Sequence, residues 1–417
     1  MQFSEFGNKF GGDSGITRLM DDLDQGIRAG DELIMLGGGN PASIPALDEV
    51  FANYLAQLLE SGELLNQLCN YDGPQGNRKL IESLATYLSG FYGTDIGPEN
   101  IALTNGSQSA FFYLFNLFAG ASSHQSICKK VLLPLTPEYI GYADSGLSKE
   151  HFVACRPIIE KLENRRYKYH VDFEAVNSTL NDVGLICVSR PTNPTGNVIS
   201  DEELFKLDAI AQERGIPLLI DNAYGAPFPN LIFKPVKAFW NQNTILCLSL
   251  SKLGLPGTRC GIVVANSKTI KAMTNLSGII NLAPGSIGPA ILTPMLEGND
   301  IDRISNDIIR PFYLKKSQQA VKLLQAAIPS DRFNIHVSEG AMFLWLWFDG
   351  LPIDDMQLYQ RLKINGLLIV PGSYFFPGLA GDWKHRQQCI RLHFAQSDDD
   401  MIRGIKTLAS IINPLLD

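Results

Sequence analysis

Apolar residues recur at three- and four-residue spacings in EVFANYLAQLLESG (49–62) and RKLIESLATYLSGF (78–91), which predicts two amphipathic helices. Short apolar runs of strand length follow: IALT (101–104), VLLPL (131–135), GLICVS (184–189), IPLLI (216–220), ILCLSL (245–250) and CGIVVA (260–265). Helical segments separate several of them. One begins at Ser200, whose spacing to Glu203 makes a capping box, and ends at Gly215. Strands alternating with helices predict an α/β fold, a large domain with a mostly parallel sheet covered by helices on both faces. Beyond residue 300 the rhythm changes. A long helical stretch (about 301–327) precedes MFLWLWF (342–348), a helix (355–365), LLIV (367–370), CIRLHF (389–394) and a final helix, which predicts a smaller α+β domain. The expected division is an N-terminal segment, 1–47, packing with the small domain, then a large domain at 48–300 and the small one at 301–417.

Composition narrows the function. The 417 residues are nearly three times the ~150 of a typical domain, in keeping with more than one lobe. With 45% hydrophobic and 19% charged residues the chain is globular. Its 35 Lys and Arg against 43 Asp and Glu give −8, with no basic block, so a nucleic-acid backbone is a poor partner. No apolar run approaches the ~18 residues of a membrane helix, and the first fifteen residues hold no apolar signal core, so a cytoplasmic location is expected. The cysteines (69, 128, 155, 187, 247, 260, 389) form no CxxC pair and the histidines no HxxxH, so no metal site is expected. Phosphate-loop and nucleophile-elbow motifs are absent. GGGNPA (37–42) matches a dinucleotide fingerprint, but Pro41 and Pro45 interrupt the helix it should open, and the next strand-like run lies too far on.

Four signals stand at strand ends, where open α/β sheets bind their ligands. TNGSQSA (104–110) runs from a strand into a helix and presents free amides and hydroxyls, an anion site or simply a capped helix. NPTG (193–196) is a candidate site loop or only a turn. Asp221 ends an apolar strand, where a lone carboxylate needs a partner, and is followed by Asn222, Ala223 and Tyr224. In SLSKLGLPGTRCG (249–261), Lys252 is flanked by Ser249, Ser251 and Arg259; it could snorkel to solvent or act chemically. An anion cradle, a strand-end carboxylate, a Tyr and a Lys beside an Arg are together what pyridoxal 5'-phosphate requires.

In the order and content of these motifs the sequence resembles the fold-type I pyridoxal-phosphate aminotransferases of class I/II over nearly its whole length. The resemblance implies that Lys252 bonds the cofactor aldehyde and later shuttles a proton, and that Asp221 pairs with the ring nitrogen. It implies that Asn193 and Tyr224 bond the phenolic oxygen, while Gly106, Ser107, Gln108, Ser249 and Arg259 hold the phosphate. Tyr139 of PLTPEYIGY would stack on the ring. Tyr71 of NYDGPQG would reach the phosphate of a partner subunit, which implies a homodimer with shared active sites. Arg391 of CIRLHF would clamp the substrate α-carboxylate, with Asn193 nearby and a backbone amide from Gly39 opposite. The seven-residue step from Lys252 to Arg259 fits one branch of the family.

Longer segments, among them LCNYDGPQG, TNGSQSAFFYLFNLFAG and EGAMFLWLWF, resemble the branch that exchanges an amino group between valine and pyruvate. The expected activity is therefore a ping-pong transfer giving 2-oxoisovalerate and alanine. The rivals are another reaction on the same scaffold (a different specificity, a lyase, a decarboxylase), a cofactor-binding protein without turnover, and a cofactor-binding regulator, which would need an added DNA-binding domain.

Overall fold

The computed structural model describes residues 2–417 apart from 13, 14, 16, 18, 19, 22–32, 123, 124 and 149. Most of 13–32, within the expected N-terminal segment, thus lies outside the described residues. The apolar runs assemble into one large sheet. In space its order is Ile101–Asn105, Cys260–Val264, Thr244–Ser249, Leu218–Asp221, Val183–Ser189, Gln125–Leu133 and Gly120–Ser122, with Phe152–Ala154 also paired to Gln125–Leu133. Thr244–Ser249, Leu218–Asp221, Val183–Ser189 and Gln125–Leu133 run parallel, and Cys260–Val264 is antiparallel to both its neighbours. Side-chain alternation covers both faces. Ala102, Leu133, Leu185, Cys187, Leu219, Cys247 and Val263 enter one apolar cluster. Their neighbours Leu103, Leu132, Ile186, Val188, Ile220, Leu248 and Ile262 enter the other. A period of two with both faces buried is why these strands read as unbroken apolar runs.

A second sheet has the order Val370–Pro371, Cys389–His393, Phe343–Phe348, Phe333–His336, Arg166–His170 and Ile158–Leu162. Its last two strands come from the middle of the chain, a hairpin that the sequence pattern did not place there. Its outer strand is largely exposed and polar, IIEKL, so no apolar run marked it. Arg166–His170 adds parallel to Phe333–His336, and Lys168 reaches back to Asn197 Oδ1 (2.9 Å), the Val198 carbonyl and Glu339. At the other end of the chain Ile34–Met35 pairs with Leu367–Leu368, and the His393 amide donates to the Leu36 carbonyl (2.8 Å). The helix expected at 301–327 is present as Asp300–Arg303 and Arg310–Ala327, joined by a π-helical stretch Ile304–Ile309. Pro311 sits just beyond, and its missing N–H removes one α-type bond from that stretch.

Helix ends follow the local sequence. Ser200 Oγ accepts from the Glu203 amide (3.1 Å) while Glu203 accepts from the Ser200 amide (3.0 Å), and Gly215 closes the helix with φ +64°.

Candidate active site

The large sheet delivers its polar residues to one edge because neighbouring strands stop in register. Ser189 lies opposite Asp221, and Asp221 opposite Cys247, two residues before Ser249. Past these ends opens a cavity of about 190 Å³. Its lining includes Ser107, Gln108, Tyr139, Asn193, Asp221, Tyr224, Ser249, Lys252, Arg259, Arg391 and Gly39. Gly106 stands just behind as the N-cap of the helix Ser107–Phe118. The loop that carries GGGNPA supplies carbonyls here. Those of Gly37 and Gly38 accept from Arg391 Nη2 (2.8 and 3.3 Å), and that of Gly39 accepts from Lys252 Nζ (2.6 Å).

Burial governs the charges. Lys252 is brought down to about 8, first by desolvation and then by Arg391 and Arg259, with Asp221 opposing. Asp221 Oδ2 accepts from the Tyr142 hydroxyl (2.6 Å), and Oδ1 from the Ala223 amide (3.0 Å). Desolvation nonetheless raises the Asp221 carboxyl above its ordinary value, and those two bonds and Lys252 pull it back. Arg391 projects from Cys389–His393 with its Nη1 on Asn193 Oδ1 (2.8 Å). Its guanidinium lies 4.1 Å from the Phe343 ring centroid and 5.2 Å from that of Phe375. Burial lowers Arg391 to about 10, so it stays cationic at neutral pH. Its Nε is buried without a partner, and no carboxylate pairs with it among the described residues.

Of the residues to which the resemblance gives a role, all but Gly106 and Tyr71 line this cavity. Tyr71 is 85% exposed and lies on the surface beside Asp72 and Pro74, away from its own chain's cavity. Gly39 presents its carbonyl to Lys252. Sequence reasoning passed over Phe111, Ile140 and Met20 in the lining, and Glu138, Tyr142 and Ser189 behind Asp221. Tyr142 lies in the quoted segment PLTPEYIGY, three residues after Tyr139, and the two rings meet edge-on at 5.4 Å. That spacing was the available signal.

The donor set fits a phosphorylated pyridine aldehyde. The first amides of the helix Ser107–Phe118 have no intrahelical partner, and Ser107, Ser249 and Arg259 surround them. A Cβ on Gly106 would stand 2.2 Å from Arg259 Nη2, and one on Gly261 would stand 2.6 Å from the Ser107 amide nitrogen, so the glycines leave room for the guanidinium over the helix end. Asn193 Nδ2 and the Tyr224 hydroxyl line the cavity with no hydrogen bond to protein among the described residues.

The model of the aminotransferase class I and II family matches residues 52–407, and the chain belongs to that family. Membership implies pyridoxal 5'-phosphate, which the open donors can hold. More narrowly, the chain is 56% identical over 412 residues to the valine–pyruvate aminotransferase of Escherichia coli K12, covering 99% of this chain and 98% of that one. A crystal structure of valine–pyruvate aminotransferase AvtA from Salmonella typhimurium LT2 superposes with a TM-score of 0.88 at 55% identity, covering 96% and 99% of the two chains. The fold extends to distant relatives. LysN of Thermus thermophilus, an α-aminoadipate aminotransferase complexed with N-(5'-phosphopyridoxyl)-L-leucine, reaches a TM-score of 0.78 at 20% identity, covering 99% and 98%.

Proposed function

We propose that this chain is a pyridoxal-phosphate aminotransferase that moves an amino group between L-valine and pyruvate, giving 2-oxoisovalerate and L-alanine by a ping-pong route. One observation carries the reading. The buried Arg391, without an acidic partner among the described residues, opens on the same cavity as Lys252, whose amine is brought down to about 8. An α-amino acid supplies both the carboxylate for the first and the proton for the second.

Arg391 binds the α-carboxylate as a two-pronged donor, exchanging its bonds to the Gly37 and Gly38 carbonyls for it. The Gly39 amide assists from the other side. Lys252, as a free amine, would remove the Cα proton and deliver it to the C4′ carbon of the cofactor. With the cofactor bound, Asp221 would hold a proton on the ring nitrogen, Asn193 and Tyr224 would donate to the phenolic oxygen, and the Tyr139 ring would stack on the cofactor. Gly106, Ser107, Gln108, Ser249 and Arg259 would hold the phosphate. The cofactor supplies the electron sink that makes the Cα proton removable.

Substrate class follows from charge. Among the described residues the cations lining the cavity are Lys252, Arg259 and Arg391, each already assigned, while Ile140 and Met20 are apolar. A second substrate carboxylate would be left unpaired at several kcal/mol, whereas each buried methylene gains about 0.8 kcal/mol. Valine and alanine are therefore expected to convert, aspartate and glutamate poorly, and isoleucine to be separated from valine only weakly, by ~1–3 kcal/mol. Single-turnover rates of amino donation for valine, alanine, isoleucine and aspartate test this. Aspartate outpacing valine would overturn it.

A homodimer is part of the proposal. Leu65, Leu68, Tyr71, Ile279, Ile280, Leu282 and Ile287 are exposed, and Asp72 beside Tyr71 accepts from Ser286 (3.1 Å), so the two stretches that carry them touch and offer apolar side chains to a second subunit. Covering them would carry each Tyr71 to the phosphate of the partner's site. The division at 47 and 300 is proposed with one qualification, that the hairpin 158–170 sits in the second sheet. No helix among the described residues is long and apolar enough to cross a membrane. A cytoplasmic location is proposed.

A further inference from the structure

Behind Asp221 lies a second buried carboxyl group that the mechanism does not use. Glu138, fully buried, follows the turn residue Pro137, and its Oε1 accepts from the Ser189 amide (2.8 Å). From its Oε2 a line of contacts leads to the active site: 2.5 Å to Ser189 Oγ, 3.2 Å from there to the Tyr142 hydroxyl, and 2.6 Å from Tyr142 to Asp221 Oδ2. Ser189 and Tyr142 are themselves buried, and Tyr142 is fixed by edge-on contacts with Phe111 and Phe115.

Three oxygen–oxygen contacts need three protons, and the two hydroxyls bring only two. If Glu138 were ionised, Ser189 would give its proton to it and Tyr142 would give its own to Asp221. The contact between the hydroxyls would then hold no proton. A proton on Glu138 Oε2 closes the count: Glu138 donates to Ser189, Ser189 to Tyr142, and Tyr142 to Asp221, so every link points the same way. Such a chain strengthens its terminal bond by mutual polarisation.

We propose that Glu138 is a positioning residue, whose protonated carboxyl orients Ser189 and Tyr142 so that Asp221 is kept as the carboxylate that the ring nitrogen needs. Among the described residues the titratable groups facing Glu138 are Asp221, Cys187 and Tyr142, with Tyr139 next to it in the chain. Burial, aided by the Asp221 charge and opposed by the Ser189 and Tyr139 bonds, pushes the Glu138 carboxyl up to about 8, so the proton is retained at neutral pH. The chain is thus intact below that pH and loses its first donor as pH rises through it. This consequence for catalysis rests on the aminotransferase reading, whereas the protonation itself does not.

Infrared difference spectra of wild type minus E138Q test the protonation, in both apoprotein and holoenzyme. A carboxylic-acid carbonyl band is expected at pH 7 in the wild type alone, fading as pH passes about 8. Its absence at pH 7 overturns the proposal whatever the enzyme's substrate. The second arm compares E138Q with E138L in the holoenzyme half-reaction with valine. Gln can donate to Ser189 and accept from its amide, so it should keep the rate and remove the decline above pH 8. Leu cannot, and the weakened bond to Asp221 should slow Cα deprotonation by roughly 10-fold or more. Equal slowing by both variants overturns the proposal, and if E138L does not fold, the E138Q pH profile and the infrared band still decide.

Discussion

At the scale of single residues, the chemistry was legible where a polar side chain interrupts an apolar pattern. Asp221 after IPLLI and Lys252 after ILCLSL stand out because a buried strand rarely ends on an ionisable group without use for it. Glu138 stands in a turn-rich stretch, where a glutamate is unremarkable in sequence; only the fold brings it to Ser189, fifty-one positions away. The lowered Lys252 amine makes a testable difference. A neutral amine is the nucleophile toward an aldehyde, so reconstitution of apoenzyme with pyridoxal phosphate should quicken about tenfold per pH unit up to about 8 and then level off. A lysine of ordinary basicity, 10.5, would go on accelerating. Borohydride trapping and peptide mapping along the series must place the label on Lys252; a label on Lys268 would remove it from the site.

Elements were legible in proportion to how much apolar surface they bury. The amphipathic helix Arg78–Tyr92 declares itself by period, and the doubly buried strand Val183–Ser189 by its unbroken apolar run. Ile158–Leu162, largely exposed, and Gly120–Ser122, only three residues long, offered too little pattern. The junction of Ile101–Asn105 with the helix Ser107–Phe118 shows how an element end becomes a site. Gly106 there adopts φ +83° and ψ 158°, a conformation close to glycine-only. Gly106→Ala meets both that strain, about 1–3 kcal/mol, and the Arg259 guanidinium. The variant should melt at a lower temperature as apoprotein and bind the cofactor at least tenfold more weakly by equilibrium dialysis. Wild-type cofactor affinity would deny that this helix end, with Arg259, is the phosphate cradle.

For the whole molecule, the α/β character and the change of rhythm after residue 300 followed from the sequence, because alternation and run length are properties of neighbours along the chain. Which strands share a sheet is a property of space, and the hairpin 158–170 was placed by the fold alone. The proposal that active sites are shared between subunits is tested at this scale too. Mixing Tyr71→Phe and Lys252→Ala homodimers under subunit exchange should create hybrids with one site holding both native residues, and with it activity above that of either parent. Each parent should fall short of wild type, Tyr71→Phe by about tenfold for a lost bond to a charged group. Exchange without any gain in activity would mean that Tyr71 serves no neighbouring site.

The hairpin carries one more consequence, for the time order of synthesis. Arg166–His170 emerges from the ribosome long before its partner Phe333–His336, more than 160 residues behind it. Until that partner arrives, the nascent protein holds a strand edge with unmet hydrogen-bonding groups, the kind of surface on which chains stick to one another. The outer strand IIEKL pairs with the opposite edge of Arg166–His170, and its exposed, charged side chains discourage pairing along its own outward edge, so the residues that hid the hairpin from a reader of apolar patterns also keep that side from joining the wrong neighbour.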